Sequence, residues 1–284
     1  MIDKFIHKFL KVPYTLHSSV KKRSKKPLAS ILFLHGIGRS GESWQGVIDK
    51  LPQNYEILSI DLLGFGKSPK PHWAEYSAKL HARSVLATLL KSRPRRRPLI
   101  IVGHSLGSLV AVEMAKRYKI VFDKLILCSP PFYRDQSSHR ALSRDGSLKN
   151  LYKTLVNHPE KFLETARLAT KYKLITGPLT LSNDNIEAYM SALEATIINQ
   201  TSLEDAISLK VPMQIIHGAF DPLVVKKNLK HLVAHNDKAQ LRVVRAGHEV
   251  KSQSYKDAVA EEIISAVKQY EMIHKKSKSK SSKN

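Results

Sequence analysis

The sequence predicts an α/β fold: a mostly parallel sheet with helices on both faces. Two observations predict it. Short apolar, β-branched runs alternate along the chain with runs whose apolar residues recur at helical spacing. One such strand runs straight into Gly103-His104-Ser105-Leu106-Gly107, a Gly-x-Ser-x-Gly turn followed by a helical run. With 284 residues, 42% of them hydrophobic, the chain can bury the core of one large domain that carries an insertion.

A leading antiparallel hairpin is expected over residues 12–20. Residues 30–34 (Ser-Ile-Leu-Phe-Leu) read as a strand and 42–51 as a helix. Residues 55–60 read as the next strand, and 76–90 as a helix that Arg93-Pro94 ends. The strand at 99–102 leads through the serine turn to the helical run at 109–115. A strand at 124–128 is closed by Pro130-Pro131. Strands at 213–216 and 241–244 and helices at 222–234 and 255–270 complete the alternation. Residues 132–209 contain helical stretches (148–156, 159–172, 183–200) but no strand, and are too long for a plain loop. They are read as a helical cap inserted in a core of residues 1–131 and 210–274; ordinary packing against the outside of the core is the alternative.

A serine pinned in a tight strand-to-helix turn stands clear of the backbone, and a side chain at Gly103 or Gly107 would press on the neighbouring helix or strand. A nucleophilic serine also needs a base, a carboxylate to orient that base, and donors for an oxyanion. His248 lies just past the last strand and Asp221 just past the one before it. Asp221 precedes Pro222, so it also reads as the N-cap of the following helix. His35-Gly36-Ile37-Gly38 follows the first parallel strand; the backbone amides of Ile37 and Leu106 are the expected oxyanion donors, and Gly36 and His104 the expected substrate-side residues. Gly66-Lys67-Ser68 is a decoy for a phosphate loop, because position 61 is Asp where that loop needs glycine and prolines follow where it needs a helix.

The formal net charge of +23 comes from 47 Lys and Arg against 24 Asp and Glu. The positive charge gathers at Lys21 to Lys26, at Arg93 to Arg97 and in a low-complexity tail, 275–284, that is expected to be disordered. No nucleic-acid-binding motif accompanies these clusters, so no specific nucleic acid is predicted; they read as a solvated basic surface that permits weak association with an anionic one. No apolar stretch reaches the ~20 residues that span a bilayer, and the N-terminus has no continuous apolar core of a secretory signal. Cys128 is the only cysteine, which excludes an intrachain disulfide and points to the cytoplasm.

Five blocks together resemble the α/β-hydrolase superfamily: His35-Gly36-Ile37-Gly38, residues 61–68 (Asp-Leu-Leu-Gly-Phe-Gly-Lys-Ser), the serine pentapeptide, Gly218-Ala219-Phe220-Asp221 and Gly247-His248. They look most like its capped single-domain branch of carboxylesterases, lactonases, C–C bond hydrolases and proline iminopeptidases. The resemblance implies an eight-stranded sheet in the order 1-2-4-3-5-6-7-8, with a helical cap between strands six and seven. It implies a Ser105–His248–Asp221 triad acting on a small-molecule acyl substrate through an acyl-enzyme, without metal or organic cofactor, in a monomer or a dimer. Transfer to an acceptor other than water, amide or C–C cleavage, and a non-catalytic ligand-binding receptor on the same fold are the alternatives. Glu249-Val250-Lys251 after the histidine departs from the aromatic residue common in C–C hydrolases, and Asp135 is the runner-up to Asp221. The implied order makes the strands near Ser30 and Pro98 neighbours, so both basic loops are expected on the face away from the serine. Neutralising Arg95, Arg96 and Arg97 is then expected to leave ester turnover unchanged.

Overall fold

The computed structural model describes residues 2–22, 26–92, 98–118, 122–134, 150, 153–154, 156–158 and 185–281. One sheet organises them. Its strands are β1 (Ser18–Lys22), β2 (Ala29–Leu34), β3 (Tyr55–Ile60), β4 (Leu99–His104), β5 (Lys124–Cys128), β6 (Met213–Gly218) and β7 (Ala239–Val244). They lie in the order β1-β3-β2-β4-β5-β6-β7. Every pairing is parallel except that of β1 with β3. This is the expected order with its first strand removed: the described residues hold seven strands, not eight.

The missing strand is explained by where the N-terminal backbone finds its partners. The chain begins with a short helix, α1 (Ile2–Lys4), that widens into a π-turn at Phe5–Phe9. Beyond it, Pro13 has no amide to donate, the Leu16 amide donates to Thr88 Oγ1 at 2.9 Å, and the His17 amide donates to Ser68 Oγ at 2.9 Å. Side chains therefore take the bonds that a hairpin partner would have taken, and the expected hairpin over 12–20 reduces to the single strand β1.

The helices are α2 (Gln45–Ile48, entered through a 3-10 turn at Gly41–Trp44), α3 (Ala78–Ser92), α4 (Leu106–Arg117), α5 (Ile186–Ala192, continued by a π-turn at Leu193–Ile198), α6 (Ser202–Ser208), α7 (Lys226–His235) and α8 (Gln253–Ser281). β2, β3, β4 and β6 are buried at all six positions, as parallel strands covered on both faces must be. Alternate residues of β2 serve the two faces. Leu32 and Leu34 join Leu106, Leu109 and Val110 of α4, whereas Ile31 and Phe33 join Tyr255, Val259 and Ile263 of α8. At about 25 cal/mol per Å² of apolar surface, these two layers supply most of the drive to fold.

Two further expectations are corrected. The helix expected from Pro222 begins at Lys226, after the extended residue Val225, because the Leu223 and Val224 amides turn back to Asp221 Oδ1 at 2.9 and 3.3 Å. The tail expected to be disordered from 275 continues α8 to Ser281, since extending a formed helix is far easier than starting one. The expected helices at 148–156 and 159–172 lie outside the described residues, apart from a few helical positions between 150 and 157, whereas 186–198 is helical as read within 183–200, and 202–208 is a further helix the sequence reading did not include. β2 and β4 are neighbours, but Arg93 to Arg97 and most of the Lys21 to Lys26 loop lie outside the description. No described helix is long and apolar enough to cross a membrane.

Candidate active site

Ser105 sits between β4 and α4 with φ 50° and ψ −116°, a conformation that costs a non-glycine residue about 1–3 kcal/mol. The surroundings hold it there. The Ser105 amide donates to the Cys128 carbonyl at 2.9 Å, and Ser108 Oγ donates to the Gly103 carbonyl at 2.9 Å. Both flanking glycines are required by close approach. A Cβ on Gly103 would lie 2.5 Å from the Gly107 carbonyl oxygen in the helix, and one on Gly107 would lie 2.3 Å from the Leu34 oxygen of β2.

His248 follows β7, and Asp221 follows β6. The Nδ1–H of His248 donates to Asp221 Oδ2 at 2.8 Å, which leaves Nε2 as the nitrogen available for proton transfer. Gly218 makes this pairing feasible: a Cβ there would lie 2.1 Å from the Gly247 oxygen, so only glycine lets the acid loop and the base loop approach so closely. Burial alone would raise the Asp221 carboxyl, but its bonds to His248, to the Ser129 hydroxyl and to the Leu223 amide outweigh that and hold it below the usual carboxylate range. The N-cap role expected for Asp221 is corrected: its other oxygen closes a turn by accepting from the Leu223 and Val224 amides, and Val225 is the residue that precedes the helix.

Ser105 and His248 face one open cavity of about 730 Å³. Gly36, Ile37 and His104 also line it, together with Tyr189, Leu193 and Ile197 from α5 and the π-turn behind it. Leu106 is the first residue of α4, so its amide has no partner within the helix. His104 Nε2–H donates to the His248 carbonyl at 3.0 Å, and a Cβ on Gly36 would come within 2.7 Å of His104 Nδ1. His104 thus ties the elbow to the base loop. Asp135 lies outside the described residues.

The chemistry around the site is held by groups whose supporting roles cannot be read from sequence. His35 donates from Nδ1 to the Gly36 carbonyl at 2.7 Å and accepts from the Leu62 amide at 2.8 Å, joining the loops after β2 and β3. Burial pushes it down to about 4, so it is neutral at pH 7. Asp61, first residue of the decoy segment, accepts from the Gly41 and Lys67 amides at 2.7 and 2.8 Å; the segment is a structural clamp. Ser129 follows β5 with φ 47° and lies 3.0 Å from the Tyr255 hydroxyl, which donates to the Ile216 carbonyl at 2.8 Å. A serine after a strand carries no signal by which sequence could have found this support. Arg39 and Glu249, paired at 3.1 Å, also line the cavity, although they stand 210 residues apart.

The family model described as "alpha/beta hydrolase fold" matches residues 29–254. Among curated proteins, the chain is 31% identical to a probable lysophospholipase, BODYGUARD 5, of Arabidopsis thaliana over 118 residues, which is 39% of this chain and 26% of that protein. It is 42% identical to an uncharacterized protein of Mycobacterium tuberculosis over 103 residues, 35% of this chain and 28% of that one. The match thus spans about a quarter of each of these relatives. Similar solved structures include an esterase from Exiguobacterium antarcticum (TM-score 0.73, 15% identity, 89% of this chain and 95% of that one). Another is an enol-lactonase from Burkholderia xenovorans (TM-score 0.66, 19% identity, 90% of this chain and 100% of that one). At such identities the likeness is one of fold.

Proposed function

Because the chain belongs to the α/β-hydrolase family, matched over residues 29–254, we propose that it is a serine hydrolase that cleaves a small carboxylic ester or related acyl compound. The observation that carries the proposal is a strained, glycine-flanked serine facing the same cavity as a histidine whose Nδ1 is bonded to a buried carboxylate at 2.8 Å. In this reading His248 Nε2 takes the proton of Ser105 Oγ as it attacks the carbonyl carbon. The oxyanion rests on the Ile37 and Leu106 amides, each worth about 3–4 kcal/mol in comparable sites. The alcohol leaves with the proton, and water activated by His248 releases the acid. Asp221 keeps Nδ1 protonated and stabilises the imidazolium.

Gly36 lets the loop after β2 pass close under the substrate and against the His104 ring. Residues 132–209 form the cap that selects the acyl group, Tyr189, Leu193 and Ile197 being its described contribution to the cavity. With Cys128 buried and no second thiol, the fold suits a reducing cytoplasm.

A fluorophosphonate probe tests the assignment. Wild type is expected to label and Ser105→Ala not to. Failure of folded wild type to label would overturn the hydrolase reading. A set of p-nitrophenyl esters against aminoacyl anilides then separates ester from amide cleavage.

A further inference from the structure

The N-terminal helical segment is built inside out. A helix on a globular protein normally turns its apolar stripe to the core. Here two polar residues, Asp3 and His7, make the contacts with the domain. Asp3 Oδ2 accepts from both the Tyr14 hydroxyl and Trp73 Nε1, each at 2.9 Å. The His7 ring stacks on Tyr14 at 3.6 Å, and its Nδ1–H donates to the Val12 carbonyl at 2.7 Å. The Arg83 guanidinium of α3 holds the Lys11 carbonyl. The segment is therefore fastened to the domain by polar contacts. Four of its five apolar side chains point outward, Ile6 being half-buried: Ile2 is 77% exposed, Phe5 56%, Phe9 65% and Leu10 59%. One exposed leucine needs no explanation, but four large apolar residues among nine consecutive ones form a patch that a soluble surface rarely leaves uncovered. Lys4, Lys8 and Lys11 are exposed among them.

We propose that this segment is a docking surface for an anionic lipid bilayer, with the apolar residues entering the interface and the lysines meeting the acidic headgroups. Composition and charge select this occupant. A second copy of the chain would bring like charges together, each copy carrying +23. A nucleic acid would satisfy the lysines but leave Ile2 and Leu10 without an apolar acceptor. Only a surface that is both anionic and apolar beneath its charges suits both residue types. The inference does not depend on ester cleavage.

The test is co-sedimentation of the full chain with vesicles of phosphatidylcholine alone and of phosphatidylcholine mixed with phosphatidylserine. Wild type is expected to pellet with the mixed vesicles and not with the neutral ones. The double variant Phe5→Ser/Phe9→Ser is expected to partition at least about tenfold more weakly. Lys4→Gln/Lys8→Gln should lose roughly thirtyfold, since a lysine near such a surface is worth about 1 kcal/mol. Both variants change exposed side chains, so their melting temperatures should match wild type. Three results would overturn the proposal: no binding to mixed vesicles, binding by the phenylalanine variant equal to wild type, or a self-association of the free protein that this variant abolishes.

Discussion

Ser105 is under strain because of where its hydroxyl must stand. Replacing it with glycine removes a cost of about 1–3 kcal/mol and adds only about 0.5–1 kcal/mol of extra chain entropy in the unfolded state. Ser105→Gly is therefore expected to be about 1 kcal/mol more stable than wild type while losing all probe labelling. Chemical denaturation reads the first effect, and equal or lower stability would show that the elbow is not strained. Gly107→Ala moves the other way. Its Cβ would lie 2.3 Å from the Leu34 oxygen, a backbone atom that cannot yield without moving β2. The variant is expected to lose at least about 2 kcal/mol and to lower turnover, read by a denaturation midpoint and an ester assay on the same preparation. Sequence alone identified Gly103 and Gly107 and their reason, because the pentapeptide is local. The clearance that Gly218 gives Gly247 was out of reach, since it joins two loops about thirty residues apart.

At the scale of elements, the central strands were legible because a parallel strand buried on both faces is a continuous apolar run, and β3 and β5 carry the expected bounds. Helix starts were less legible. The Asp221 carboxylate was expected to begin a helix at Pro222, but it bonds to the next two amides and delays the helix to Lys226. α5 and its π-turn line the cavity with Tyr189, Leu193 and Ile197. Thr196 Oγ1 donates to the Tyr76 carbonyl at 2.7 Å, and the Tyr76 amide donates to Ser191 Oγ at 3.1 Å, so the element that lines the cavity is tied to the core. Leu193→Phe extends a side chain of that lining. It is expected to lower kcat/KM for long-chain p-nitrophenyl esters about tenfold, the worth of a methylene or two in such a pocket, while acetate changes by less than about twofold. Equal losses on both chain lengths would place the acyl group elsewhere.

For the whole molecule, three buried histidines couple folding to pH. Burial pushes His35 and His104 down to about 4 and His81 to about 3, from an ordinary 6.5. In the unfolded chain each takes a proton near 6.5, while the folded form stays neutral. The unfolded state thus binds more protons, and stability present above about pH 6.5 is lost as pH falls toward 4. Each group contributes up to about 1.4 kcal/mol per pH unit, so the slope near pH 5 should approach about 4 kcal/mol per unit. Urea unfolding across that range checks it, and a flat profile would refute it. Among the described residues, neither ring nitrogen of His81 has a hydrogen-bond partner. His81→Leu is therefore expected to raise stability at neutral pH by about 1–3 kcal/mol and to reduce the slope by about a third.

The sequence by itself determined the α/β class and the strand-to-helix elbow, and it singled out Ser105, Asp221 and His248 as candidates, because each lies in a short local pattern at a strand end. Only the tertiary structure decided how many strands the described sheet has, since the backbone bonds of residues 16 and 17 go to side chains from distant segments. It alone revealed Ser129 beneath Asp221, the Arg39–Glu249 pair in the cavity wall, and the outward turn of Phe5 and Phe9. An amphipathic pattern says that one side of a helix is apolar. Which side meets the protein is settled by the partners across the chain, here Tyr14 and Trp73, that claim the polar one.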